Sequence, residues 1–169
     1  MKKFICLLFA LLMATQLTAC ASEATKALQE AKRAFNNAEW AEAKDYAQQV
    51  INNYPDTKAA QKAQKIVDDA SEKMDLEFAE TLAKEAEDAF ASKNWQVVID
   101  NYKTIVKLVP DSELADRVSS WNTEAESNWK KELTKKMKTA YSDSEWNSAD
   151  SYASKIIQYF PDSSEASAA

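Results

Sequence analysis

Apolar residues fall along most of this chain at helical spacing. From Trp40 they recur at 43, 47, 50, 51 and 54. A second run occupies 95, 98, 102, 105, 106 and 109, and a third 146, 149, 153, 156, 157 and 160. Each set lies on one face of a 3.6-residue helix. Each run stops just before a proline, Pro55, Pro110 or Pro161, which disfavours helical backbone in the residue ahead of it. The pattern therefore predicts three amphipathic helices of about four turns, too short to be stable without neighbours. The stretches 58–92 and 113–142 contain neither glycine nor proline and carry unbroken stripes, at 59, 63, 67, 70, 74, 78, 82, 86, 89 and at 114, 118, 121, 125, 129, 133, 137, 140. They are expected to form long or closely apposed helices.

The three runs belong to an internal repeat. Ala34-Phe35…Trp40…Tyr54-Pro55-Asp56-Thr57 aligns with Ala89-Phe90…Trp95…Val109-Pro110-Asp111-Ser112 and with Ala140-Tyr141…Trp146…Phe160-Pro161-Asp162-Ser163. The proline follows the tryptophan by 15 residues in every copy, an aromatic precedes it by five, and Ala60, Ala115 and Ala166 match as well. The Asp-Thr or Asp-Ser behind each proline offers an N-cap oxygen for the next helix. The periods, 55 and 51, differ by four residues. That is close to one helical turn and rotates a face by only about 40°, so a continuous helix absorbs it.

The tryptophan, the small residue three positions on (Ala43, Val98, Ala149) and the proline resemble the second half of a tetratricopeptide repeat. The resemblance implies an all-α fold: a solenoid of helical hairpins, with three degenerate repeats joined by long helices over residues 20–162 and a short tail at 163–169. The spacing departs from that family's period of about 34 residues. Its tight-packing glycine is replaced by Ala31, Ala86 and Met137, and the bulk of Met137 predicts a wider third hairpin. Among lipidated repeat proteins, the Trp…Tyr-Pro pattern is similar to outer-membrane assembly lipoproteins of the BamD-like kind.

The chain opens with Met1-Lys2-Lys3 and eleven consecutive apolar residues, Phe4 to Ala14. A basic start, a short apolar core and small residues before a cut site describe a secretory signal over 1–19. As a helix, the apolar run would span about 16 Å against a hydrocarbon core of ~30 Å, too short for an anchor. Leu17-Thr18-Ala19-Cys20 resembles a bacterial lipobox, which implies acyl chains on Cys20 and membrane attachment through them. Ala21, in place of an aspartate, implies the outer membrane, with the protein facing the periplasm. Cys6 would leave with the signal, so no disulfide framework is expected. Loss of Lys2 and Lys3 takes the formal charge from −6 to −8, a balance unsuited to nucleic acid.

Composition narrows the chemistry further. There is no glycine and no histidine, which removes phosphate-binding loops, nucleophile elbows and the commonest general base and zinc ligand. No catalytic residue, metal site or cofactor is expected. The five tryptophans are expected in the core. Nine acids between 68 and 88 are spread around a helix and read as a solvated face.

Two features point to partners. Lys131, Lys135 and Lys138 share one face and suit an acidic partner, the acidic helix of a second copy being the first to consider. At the end of the third copy, Tyr152, Ile156, Tyr159 and Phe160 form an apolar face without a long following helix, and are expected to offer a docking surface. The expected function is a lipid-anchored, non-catalytic scaffold that holds a protein partner in an envelope-assembly or secretion complex. A self-assembling structural lipoprotein is the alternative, and a small-ligand carrier or enzyme a remote one.

Overall fold

The structure is a computed structural model and describes residues 22–168; the expected signal segment and Cys20 lie outside the described residues. Among the described residues all regular structure is helical. α1 covers 22–36, followed by α2 (Trp40–Asn53), α3 (Lys58–Ala91), α4 (Trp95–Leu108), α5 (Glu113–Ser142), α6 (Trp146–Tyr159) and α7 (Ser164–Ser167). The stretches 58–92 and 113–142 are thus single long helices, α3 and α5. None of the described helices is long and apolar enough to cross a membrane. The chain divides into two compact units between Glu77 and Phe78, within α3.

Three turns of one design connect α1 to α2, α3 to α4 and α5 to α6. Ala38, Lys93 and Ser144 take φ of 61°, 60° and 61°. The next amide reaches back to close the helix end: Glu39 N donates to Ala34 O at 3.0 Å, Asn94 N to Ala89 O at 2.8 Å, and Glu145 N to Ala140 O at 2.8 Å. This is a Schellman-type stop, in which glycine usually holds the left-handed position. Here alanine, lysine and serine hold it. Across each turn the two flanking aromatics meet edge to face: Phe35–Trp40 at 5.1 Å, Phe90–Trp95 at 5.8 Å and Tyr141–Trp146 at 5.2 Å between centroids.

The proline-containing connections are equally alike. α2, α4 and α6 end at Tyr54, Val109 and Phe160, whose φ/ψ values of −137°/51°, −138°/64° and −132°/51° lie outside the helical region, which a following proline disfavours. The cap is the hydroxyl of Thr57, Ser112 or Ser163, not the preceding aspartate. Each hydroxyl donates to the carbonyl ahead of the proline at 2.7–2.8 Å. Each accepts the amide of Ala60, Ala115 or Ala166 at 3.1–3.2 Å. The short tail therefore begins with the same cap as α3 and α5, and α7 is the first turn of that helix.

The core of the first unit is built from small residues, with Ala24, Leu28, Ala31 and Ala34 of α1 against Ala43, Ala47 and Val50 of α2 and Ala59, Ala63 and Ile66 of α3. Alanine at these positions lets helix axes approach closely. The second unit has two clusters. One joins Ala79, Leu82, Ala83 and Ala86 of α3 to Ile105 of α4 and to Leu114, Ala115 and Val118 of α5. The other gathers Ala89, Trp95, Val98 and Ile99 with Ala125, Trp129 and Leu133 of α5 and Ile156 of α6, with Met137 packed against it.

Tryptophan burial divides by copy. Trp95 and Trp129 are buried, and Trp40 and Trp121 half-buried. Trp40 also donates its indole N–H to Glu77 Oε1 at 2.6 Å. Trp146, expected in the core, is 59% exposed.

Candidate functional site

The candidate surface lies on α6 and the end of α5. Tyr141 is 66% exposed, Trp146 59% and Ile157 50%. With Met137, Ala149 and Ala153, the first two of these line a groove of about 640 Å³. Lys138 and Asp150 are its charged members. Trp146, Ala149, Ala153 and Ile157 follow a helical i, i+3, i+7, i+11 progression, so they form one stripe along α6.

The second copy shows how the same stripe looks when covered. Phe90, the counterpart of Tyr141, stacks on Trp121 of α5 at 6.2 Å and 30°. Trp95, only 9% exposed, shares a cluster with Ala125 and Trp129 of α5. Val106, the counterpart of Ile157, is half-buried against the cluster that holds Leu114 and Val118. In the third copy α7 begins along the equivalent path, but Glu165 stands where α5 has Leu114. Glu165 instead meets Lys130, with Oε2 3.6 Å from Nζ. Its own backbone amide, Ser164 and Lys130 hold its carboxyl below the usual carboxylate range.

The apolar residues expected to form a docking face are placed differently. Ile156 is fully buried in the cluster with Trp129 and Leu133, so it cannot meet a partner; the exposed branched residue is its neighbour, Ile157. The two are about 100° apart around the helix, and the inner side of the α5–α6 pair takes Ile156. Tyr159 meets Trp129 edge to face at 4.6 Å and is bonded through its hydroxyl to α4. Phe160 is half-buried against the same tryptophan at 5.9 Å. Tyr152 is half-buried in that cluster and lines a separate hollow with Glu132, Lys135 and Lys136.

The structure does bring Lys131, Lys135 and Lys138 together. All three are exposed and line one hollow of about 400 Å³ with Glu165. Lys138 is common to this hollow and the aromatic groove. Lys136 is paired with Glu132 at 2.6 Å, and that hydrogen bond and charge push its ammonium pKa up. On α3, eight of the nine acids, all but the half-buried Asp69, are exposed.

The signal for Tyr141 and Trp146 was present in the repeat, where both mark copy three. Their exposure depends on which helix lies above them, and periodicity carries no such information. No family model matches this chain, and no curated protein or solved structure is significantly similar to it.

Proposed function

We propose that this chain is a non-catalytic scaffold that holds a protein partner. On this reading its three degenerate repeats form a tetratricopeptide-like solenoid. Acyl chains on Cys20 attach it to the outer membrane, facing the periplasm, within an envelope-assembly or secretion complex. The carrying observation is the stripe of Tyr141, Trp146 and Ile157, which is half or more exposed where its second-copy counterparts are packed under α5. Large exposed apolar patches of this kind mark interaction sites. The absent glycine and histidine and the lipobox at 17–20 support the non-catalytic, anchored part of the reading.

A photo-crosslinking residue at Tyr141, activated in intact cells, tests it. Reproducible capture of a defined envelope protein is expected, with loss of capture in the Trp146→Asp variant. Cys20→Ser is expected to move the protein from the membrane to the soluble fraction. No adduct from Tyr141, together with unchanged fractionation of Cys20→Ser, would remove the proposal.

A second reading, self-assembly, is favoured by the hollow of Lys131, Lys135 and Lys138 and the exposed acids of α3. A dimer held by those charges would dissociate steeply with added salt, which sedimentation measures directly.

A further inference from the structure

We infer that the stripe of Tyr141, Trp146, Ala153 and Ile157 receives an amphipathic helix of a partner protein, with apolar residues at the spacing of Leu114, Val118, Trp121, Ala125 and Trp129. The inference rests on the scaffold reading and specifies its partner. The internal repeat supplies the template. In the second copy, Phe90 stacks on Trp121 of α5, Trp95 shares a buried cluster with Ala125 and Trp129, and Val106 packs against the cluster that holds Leu114 and Val118. The third copy repeats the floor of that seat: the same edge-to-face aromatic pair, now Tyr141–Trp146 at 82°, and a branched residue eleven positions past the tryptophan. Among the described residues only α7 enters the equivalent path.

The dimensions fit a helix. Trp146 to Ile157 is eleven residues of α6, about 16 Å of axis, enough for three turns of an occupant lying alongside. Recognition by apolar residues one turn apart is the usual mode for a helix in a groove.

Charge specifies the occupant further. Lys131 and Lys138 stand where the second copy has Glu80 and Glu87, while Lys135 matches Lys84. Of these, Lys138 lines the groove together with Asp150, and Lys131 and Lys135 line the adjoining hollow. The stretch of α5 that covers the second seat carries Glu124 and Glu126 and no base between Val118 and Trp129. A helix with an aromatic apolar stripe fits the third seat, and an acidic flank on it would meet Lys138 and the adjoining Lys131 and Lys135.

The probe is a synthetic, fluorescently labelled peptide with the sequence of residues 113–130, titrated into the purified full chain. Saturable binding is expected, weakened at least tenfold by Trp146→Asp and by Ile157→Asp, and unchanged by Tyr46→Ala, an exposed aromatic outside the seat. A peptide with Trp121→Asp and Trp129→Asp is expected not to bind. Circular dichroism checks that the Trp146 and Ile157 variants keep their helix content. Absence of saturable binding, or equal binding to Trp146→Asp, overturns the inference. A dimer of the chain alone that Trp146→Asp dissociates would overturn it in favour of a second copy as occupant. If Tyr141 captures a partner in cells while the peptide fails, only the helix chemistry falls. If the peptide binds and nothing is captured, the seat stands and the scaffold role falls.

Discussion

The phenol of Tyr159 donates to Asp100 Oδ2 at 3.1 Å and so ties α6 to α4. Gln96 Nε2 donates to the Tyr159 hydroxyl oxygen at 3.1 Å, and Lys103 Nζ lies 4.9 Å from the Tyr159 ring centroid. One residue of the third copy thus engages three of the second, at a place where the sequence pattern marked only an apolar face.

Tyr159→Phe is expected to lower stability by about 1 kcal/mol, the usual net value of such a bond, read as a lower urea midpoint. Burial, then the charge and hydrogen bond of Asp100, raise the Tyr159 pKa. The folded chain therefore holds this proton more tightly than the unfolded chain. The associated stability is present below the unfolded value of about 10 and is lost as pH rises through the higher folded value. The gap between wild type and Tyr159→Phe should narrow above pH ~10; a gap that widens there contradicts the assignment.

Ala38, Lys93 and Ser144 hold left-handed backbone in a chain with no glycine. A non-glycine residue in that region costs roughly 1–2 kcal/mol, partly offset by the greater unfolded-state freedom of glycine. Each of Ala38→Gly, Lys93→Gly and Ser144→Gly is expected to stabilise by about 0.5–1 kcal/mol. Thermal melts of the single variants check this, and the triple variant measures how far the gains add.

Ser112→Ala removes the only side-chain cap at the start of α5 and should cost about 1 kcal/mol. Ser163→Ala removes the same cap from α7, a four-residue helix. Its expected effect on global unfolding is small, with faster amide exchange confined to 164–167. Comparable global losses in both variants would show α7 to be more deeply integrated than its packing indicates.

Trp95 and Trp146 occupy one repeat position with opposite burial. Trp95→Ala is expected to cost roughly 3–5 kcal/mol, as for a large core aromatic. Trp146→Ala should cost about 1 kcal/mol or less, since an exposed residue leaves little cavity. Equilibrium denaturation of both variants decides it; similar losses would mean that Trp146 is covered in solution.

Asn122 is buried in α5. Its amide donates to Glu126 Oε1 at 3.0 Å, while its Oδ1 has no partner. The first copy has Val67 at this position. Asn122→Val should raise stability by about 1 kcal/mol by removing an unsatisfied buried acceptor, visible as a higher midpoint in urea.

The helices and their joints were legible in the sequence. The 3.6-residue stripes marked α2 to α6, the prolines marked the ends of α2, α4 and α6, and a Thr or Ser behind each proline marked the next start. These features depend on residues within about one turn of each other, so a local pattern suffices. The Asp-Thr or Asp-Ser pair contained the cap, and the structure gives it to the hydroxyl of Thr57, Ser112 or Ser163, which sits at the residue next to the helix.

Which apolar face stays exposed was decided by tertiary structure alone. Trp95 and Trp146 hold the same repeat position, as do Val106 and Ile157, yet one of each pair packs in a cluster with α5 and the other is exposed. Ile156 and Ile157 are adjacent in sequence and differ completely in burial, because α5 meets one side of α6 and not the other. The sequence determines which side of each helix is apolar. Whether that side is covered depends on a second helix tens of residues away, and only the packed structure contains that relationship.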